Sequence, residues 1–365
     1  MGVGIFSMRL ATAPKETKIT ANWLIKRFVC ALSVLLCACG DSSSNSPEIA
    51  NYTRGNHYAL VVYSGAGIGD DGFEDNIYSG FVSSADSLGY VLENFNPPDN
   101  KSAGEVIERF FKESKNSPYE HRLLVLGAGE YAGLFEKHPQ WKPDEQNEIL
   151  FLDTYPGSLD VYIRDISLYG VSYMAGAVVA DMKKRDVKVL GANPKSKAVN
   201  SAITGFIDGY KSTGAPFEAD SQVIYLGKEE NEGFDFDVSY FLSYSYVSDS
   251  IEFVFPVIGG SNTNMFRYLR EDDSDVKFLT CGMDADQQYL SDNIAFSIVK
   301  RMDVLVGDFM SQWVRDKSQP KRTLETLESR YVDVVVAENY NSWAPHFEKF
   351  RKQAIKAEQK YLEEK

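Results

Sequence analysis

The residue types best able to grip a ligand sit in short turns that close runs of apolar residues. Ser64-Gly65-Ala66-Gly67 closes an apolar run at 57–63, Gly127-Ala128-Gly129 closes one at 123–126, and Asp153-Thr154-Tyr155 closes one at 149–152. The second half of the chain repeats the arrangement with Gly259-Gly260-Ser261-Asn262 and Gly282-Met283-Asp284. Glycine lets a backbone approach a ligand closely, while carboxylate, amide and hydroxyl groups supply hydrogen bonds. That chemistry is binding rather than bond-breaking. Gly65-Ala66-Gly67-Ile68-Gly69-Asp70 has the wrong glycine spacing for a dinucleotide loop, and Gly259-Gly260-Ser261-Asn262-Thr263 lacks the last glycine of a nucleophile elbow. There is no Walker loop. His57, His121, His138 and His346 are scattered, without H-E-x-x-H or paired Cys/His spacing, so no metal site and no cofactor are expected. A Rossmann-like enzyme is thereby disfavoured.

The elements that must position these turns alternate between two types. β-rich runs at 57–63, 90–95, 123–126 and 149–152 are separated by helical patterns at 76–88 and 103–114. The series resumes with strands at 187–191, 221–226, 253–257 and 276–280 and a helix at 198–210. Continuous apolar strands alternating with amphipathic helices predict parallel sheets covered on both faces. Two such series predict two doubly wound α/β lobes, with ligand bound beyond the carboxyl ends of the strands. A charged helix is expected over 343–365, frayed from Lys360 onward.

The ends and the charge fix the compartment. Lys26 and Arg27 precede an uncharged, mostly apolar run to Ala38, too short to span a bilayer and suited to the h-region of a signal peptide. It closes with Leu36-Cys37-Ala38-Cys39 and a Gly/Ser-rich stretch, which resembles a bacterial lipobox. The resemblance implies cleavage after Ala38, an acylated Cys39 and residence on the outer side of a membrane, residues 40–56 serving as a flexible tether. Cys281 is then the one thiol left besides Cys39, so no intramolecular disulfide is expected. The net charge of −14 becomes more negative once the basic leader is removed. Nucleic acid and anionic lipid are both excluded as partners, because each is recognised chiefly by Lys and Arg.

Four blocks, in order, resemble the basic-membrane-protein family of bacterial lipoproteins, also called PnrA-like or TmpC. They are Asp70-Asp71-Gly72-Phe73-Glu74 with Gly80; Tyr173-Met174-Ala175-Gly176 with Gly205-Phe206-Ile207-Asp208-Gly209; Val254-Phe255-Pro256-Val257-Ile258-Gly259-Gly260; and Gly282-Met283-Asp284-Ala285-Asp286-Gln287 with Ser297-Ile298-Val299-Lys300-Arg301-Met302-Asp303. The resemblance implies a type-I periplasmic-binding-protein fold, two Rossmann-like lobes joined by three crossovers. It would combine 57–166 with 282–312 in the first lobe and 167–281 with 313–342 in the second. It also implies a monomer that captures a purine nucleoside for an ABC permease. The alternative is a lipoprotein that presents its loaded state to a signalling partner.

By the same resemblance, Asp284 accepts from ribose hydroxyls, Lys300 lies near the sugar, and Asp70 faces the base beside Phe73 and Glu74. Tyr78 and either Phe234 or Phe236 would clamp the ring, with Gly260 close by in the second lobe. The chain departs from the family pattern at three places. Glu74 replaces an asparagine, Asn262 and Asn264 replace glycines, and residues 229–237 form a longer, more acidic segment. These departures bear on which ligand is bound rather than on the fold.

Overall fold

The computed structural model describes residues 55–365 apart from 66, 128, 153–156, 230–231, 234–235 and 275–276, and the side chains of Glu130, Phe236 and Asp237. The leader, Cys39 and most of the tether lie outside the described residues, as does Phe234. The chain runs β1 (His57–Val62), α1 (Phe73–Leu88), β2 (Val91–Phe95), α2 (Asn100–Glu113), β3 (His121–Leu126), α3 (Ala132–Lys137), β4 (Asn147–Leu152) and β5 (Tyr162–Ile166). It continues with α4 (Tyr169–Asp181), β6 (Val187–Gly191), α5 (Lys197–Ser212), α6 (Ala219–Gln222), β7 (Val223–Tyr225), α7 (Phe236–Ser248), β8 (Phe253–Val257), α8 (Asn262–Glu271), β9 (Leu279–Asp284) and β10 (Ile294–Lys300). It ends with α9 (Met302–Trp313), β11 (Arg322–Glu325), β12 (Val332–Val336) and α10 (Ala344–Glu363).

Two six-stranded sheets result. The first has the order β11-β5-β4-β3-β1-β2 and is parallel throughout; the second has the order β12-β10-β9-β8-β6-β7 and is parallel except for β12. The sequence argument for parallel sheets rests on burial, and the strands bear it out. Ala59 and Val61 pack on one face of the first sheet with Ile77 and Phe81 of α1, while Leu60 and Val62 pack on the other with Ile107 and Phe110 of α2. Such a strand has no polar face to alternate.

The chain crosses between the sheets three times: after β5, after β10 and after β11. Two segments therefore differ from the sequence expectation. Residues 282–300 belong to the second sheet, because β9 pairs with β8 and β10 pairs with β9; within 282–312, α9 is the part that packs against α1. Within 313–342, β11 adds to the first sheet beside β5. The strand expected at 276–280 begins at Leu279 and runs on through the glycine turn to Asp284.

Several sequence motifs are packing devices. A Cβ on Gly209 would lie 1.9 Å from the Tyr173 carbonyl, and one on Gly176 would lie 2.0 Å from that of Phe206, so α4 and α5 touch backbone to backbone. Gly80 does the same for α1 against the Asp303 carbonyl of α9, at 2.8 Å. Helix α4 is buried at every position from Tyr169 to Ala180 and so shows no amphipathic stripe. Along one side of it lies α10, running antiparallel: Asp181 pairs with His346 and Lys349, and Tyr169 stacks on Tyr361 at 4.0 Å. The C-terminal helix is thus ordered to Glu363, past the point where fraying was expected, because Phe347, Phe350 and Ala354 are core residues.

Glu358 of α10 is 1% exposed. Its Oε1 accepts from the Ser167 hydroxyl at 2.5 Å and the Gly170 amide at 3.1 Å, and its Oε2 accepts from the Leu327 amide at 2.9 Å. Ser167 lies in the first crossing and Leu327 in the third, so one carboxylate ties the two together. Burial raises its pKa above the ordinary 4.5, against the lowering effect of its three donors. The folded state therefore holds this proton to higher pH than the unfolded chain, and the group's contribution to stability falls as pH rises from 4.5 through the raised value.

Glu358→Ala strands two buried amides and is expected to cost about 3 kcal/mol, read by urea unfolding. Glu358→Gln removes the titration, so the melting temperature of wild type relative to this variant should fall as pH rises above 4.5. A difference independent of pH would refute the assignment.

Candidate functional site

Two turns meet in the gap between the sheets. One leads from β1 into α1 and the other leaves β9 at Asp284. Strand order reverses between β1 and β3, so the first turn stands at the switch point where open α/β sheets form their crevice. Three contacts join the turns. Asn76 Nδ2 donates to the Asp284 carbonyl at 3.1 Å, Gln287 Nε2 donates to the Asp71 carbonyl at 2.9 Å, and Tyr289 OH donates to Asp71 Oδ1 at 2.9 Å. Burial, then the bond to Asp71, pushes the Tyr289 hydroxyl up to about 12, so it stays a donor at neutral pH. The carboxyl ends of the two sheets thus face each other.

Carboxylates shape the first turn. Asp70 Oδ1 accepts from the Gly72 amide at 2.8 Å and the Asp75 amide at 3.3 Å, while Oδ2 accepts from the Glu74 amide at 3.1 Å. Asp75 accepts from the Gly69 and Asp71 amides at 2.7 and 2.9 Å. The Glu74 and Asp75 amides are orphan donors of the α1 start, and a negative charge there is favoured by the helix dipole. Asp70 was expected to face a ligand base; in the structure its oxygens build the loop. Its pKa is raised, first by burial and further by the charge of Asp284, with the backbone amides opposing.

The second turn supplies the ionic centre. Asp284 Oδ1 lies 2.8 Å from Lys300 Nζ, their side chains 18% and 15% exposed. The two sit at the carboxyl ends of neighbouring strands, β9 and β10, with Val299 registered opposite Asp284. Lys300 Nζ also lies 4.7 Å from the centre of the Phe73 ring, a cation–π contact that reaches across to α1. Asp71 and Asp284 both have left-handed backbone, φ 51° and 70°, which costs energy in any residue but glycine. Each of the two accepts a hydrogen bond from the opposite turn, Asp284 from Asn76 and Asp71 from Gln287 and Tyr289.

The structure therefore gathers Asp70, Phe73, Asp284 and Lys300. Glu74, expected beside them, is buried on the inner side of α1, and its Oε1 accepts from the Ser64 amide at 3.1 Å. It anchors the start of the loop instead of lining the gap. Tyr78 is 39% exposed, its ring 6.5 Å from that of Tyr63. Gly260 lies half-buried in the 3₁₀ turn after β8, its carbonyl accepting from Thr263 Oγ1 at 2.8 Å. Phe236 opens α7, while Phe234 falls outside the described residues. Sequence reasoning missed Asn76, Gln287 and Tyr289, although Gln287 stands in a quoted block. Gln287 is buried, and its Oε1 also accepts from the Met283 amide at 2.9 Å. A cavity of about 470 Å³ lined by Tyr169, Asp208, Lys211 and Tyr361 on α4, α5 and α10 shares none of these residues.

Two doubly wound sheets linked by three crossings, with a polar gap between their carboxyl ends, define a type-I periplasmic-binding-protein fold. An ABC transporter solute-binding protein from Aeropyrum pernix has this fold: TM-score 0.67 at 18% identity, covering 82% of this chain and 92% of its own. A periplasmic solute-binding protein from Actinobacillus succinogenes with bound D-allose gives 0.58 at 11% identity, covering 78% and 99%. A transcriptional activator of the comK gene from Bacillus halodurans gives 0.58 at 16%, covering 84% and 97%. No curated protein matches the sequence significantly. The family model of PnrA-like ABC transporter substrate-binding proteins matches residues 165–364, more than half of the chain. The chain belongs to that family. Membership gives it a non-enzymatic binding role outside the cytoplasm. Among the described residues no helix is long and apolar enough to cross a membrane.

The division between scaffold and gap can be measured. Glu74→Ala leaves the Ser64 amide without its carboxylate and should cost about 2 kcal/mol in urea unfolding. Tyr78→Ala, at an exposed helix position, should stay within about 0.5 kcal/mol. Equal losses would show that Tyr78 is a core residue.

Proposed function

We propose that the chain is the lipid-anchored capture component of an ABC uptake system, and that it closes its two halves on a purine nucleoside or a similar heterocycle–sugar compound. The observation that carries the reading is the Asp284–Lys300 pair at adjoining strand ends, spanned to the other half by Phe73. A carboxylate accepts both donors of a vicinal diol, and charge-assisted bonds are the stronger kind. Lys300 holds that carboxylate in place. The ammonium can also donate to a ring or sugar oxygen, since it carries three protons.

The remaining parts follow the family resemblance. Tyr78 offers an open aromatic face on the first half, and Phe234 or Phe236 is assigned the opposite face on the second. Stacking of this kind contributes roughly 1–3 kcal/mol per base. A ligand that touches both halves binds the closed form better and shifts the equilibrium by that difference alone. Asn76, Gln287 and Tyr289 already bridge the turns and set the register in which they meet.

Mass spectrometry of small molecules released from the purified, denatured protein should recover a nucleoside-like compound. Calorimetry with a nucleoside panel should then show Asp284→Ala binding roughly 5- to 150-fold more weakly, for a loss of about 1–3 kcal/mol. Recovery of a free sugar or peptide would replace the ligand class and leave the fold untouched.

The anchor has its own test. Cys39→Ser should leave the precursor uncleaved and the protein released from membranes on fractionation. Normal processing and membrane retention would remove the lipid anchor from the proposal.

A further inference from the structure

The amino ends of the first sheet carry a second constellation of polar groups, unrelated to the gap between the sheets. In the parallel pairing of β1 and β3, His57 is registered directly opposite His121. Directly paired residues project from the same face, and the two imidazole rings lie 4.6 Å apart at an interplanar angle of 17°. The edge of Trp313, in the last turn of α9, closes over His57 at 4.8 Å. Just beyond it the chain turns at Asp316, whose Oδ1 lies 4.0 Å from His57 Nε2.

His57 is 9% exposed, and its Nε2 has no hydrogen-bond partner among the described residues. The neighbouring carboxylate that could serve it is engaged elsewhere. Glu148 accepts from Tyr162 OH at 3.0 Å and from Trp313 Nε1 at 2.5 Å. A buried nitrogen without a partner is costly, and it is aimed at the space that His121 and Asp316 border.

We propose that His57, His121 and Asp316 bind one divalent transition-metal ion of the zinc class. One donor atom from each residue lies within 4.8 Å of the other two. A tetrahedral zinc with bonds of 2.0–2.2 Å needs its donor atoms about 3.4 Å apart, so each must move inward by roughly 1 Å. Asp316 can supply its share freely, since its side chain is 71% exposed at the end of a turn, while the two stacked imidazoles must tilt toward each other to supply theirs. Two imidazoles and one carboxylate suit zinc, copper or nickel, whereas calcium and magnesium take all-oxygen sets. The open fourth position faces solvent on the Asp316 side and would hold water.

The site would fasten the starts of β1 and β3 to the turn that ends α9, ahead of β11. It lies at the strand ends opposite those that form the gap, so metal and solute should bind independently.

The experiment uses the full-length chain in detergent, purified without a histidine tag, and titrates it with Zn²⁺ by calorimetry. One ion per chain is expected, and electron paramagnetic resonance of the Cu²⁺ form should show coupling to two nitrogens. Removing a metal ligand should cost at least the about 10- to 100-fold that loss of an outer-shell partner costs. His121→Gln and Asp316→Asn should therefore each weaken Zn²⁺ binding by that much, with circular dichroism unchanged. Asn accepts the left-handed backbone that Asp316 adopts, at φ 49°. Absence of stoichiometric Zn²⁺ binding, or binding that survives both substitutions, would overturn the proposal; the second outcome would assign the ion to the acidic surface.

Discussion

Glu358, withdrawn from solvent, accepts hydrogen bonds from both the first and the third passage of the chain between its two sheets. Much else depends on that junction. The two sheets are separately wound, and nothing in their strand order fixes how one sits beside the other. What fixes it is the set of short segments that run between them and the helices that clamp those segments. Helix α10 supplies the clamp from outside, held along α4 by the Asp181 pairs at one end and the Tyr169–Tyr361 stack at the other. A carboxylate suits this place because it accepts from several amides at once, which no apolar or singly bonding side chain can do. Its cost is desolvation, visible in its raised pKa.

The gap opposes this rigid junction with a charge problem. Asp70 and Asp284 approach each other closely enough for the second to raise the pKa of the first. Lys300 is the cation that makes the arrangement tenable, paired with Asp284 and stacked on Phe73. Because its two contacts come from different halves, a change in the gap would be felt by both. The strained backbone of Asp71 and Asp284 belongs to the same economy, since each is held in its unusual conformation by a contact from the opposite turn.

Several of the blocks that carry the family resemblance turn out to serve packing. The glycines at 176, 205 and 209 allow α4 and α5 to meet backbone to backbone, and Gly80 does so for α1 and α9. Glu74, in the middle of the block most suggestive of a ligand loop, is a buried anchor. A motif records that a residue type is required, and the requirement can be steric as readily as chemical.

The sequence by itself determined the alternation of strands and helices, the parallel character of the sheets and the glycine- and carboxylate-rich turns. Each of these is written in local burial: a strand covered on both faces is apolar at every position, and a turn with unusual backbone selects glycine or aspartate. By resemblance it also singled out Asp284 and Lys300, each for its own contact with a sugar; that the two end neighbouring strands and pair with each other came from the structure. The tertiary structure decided the rest. Strand β10 is a short, mostly apolar run that periodicity cannot tell from a buried helix, and β11 is an edge strand of Arg, Thr, Leu and Glu with hardly any apolar signal. Assigning 282–300 to the second sheet needed the pairing itself. So did the meeting of His57 with His121, and of Glu358 with Ser167, since these partners are far apart in the chain. Local pattern reports how deeply a residue is buried; only the packed chain settles what it is buried against.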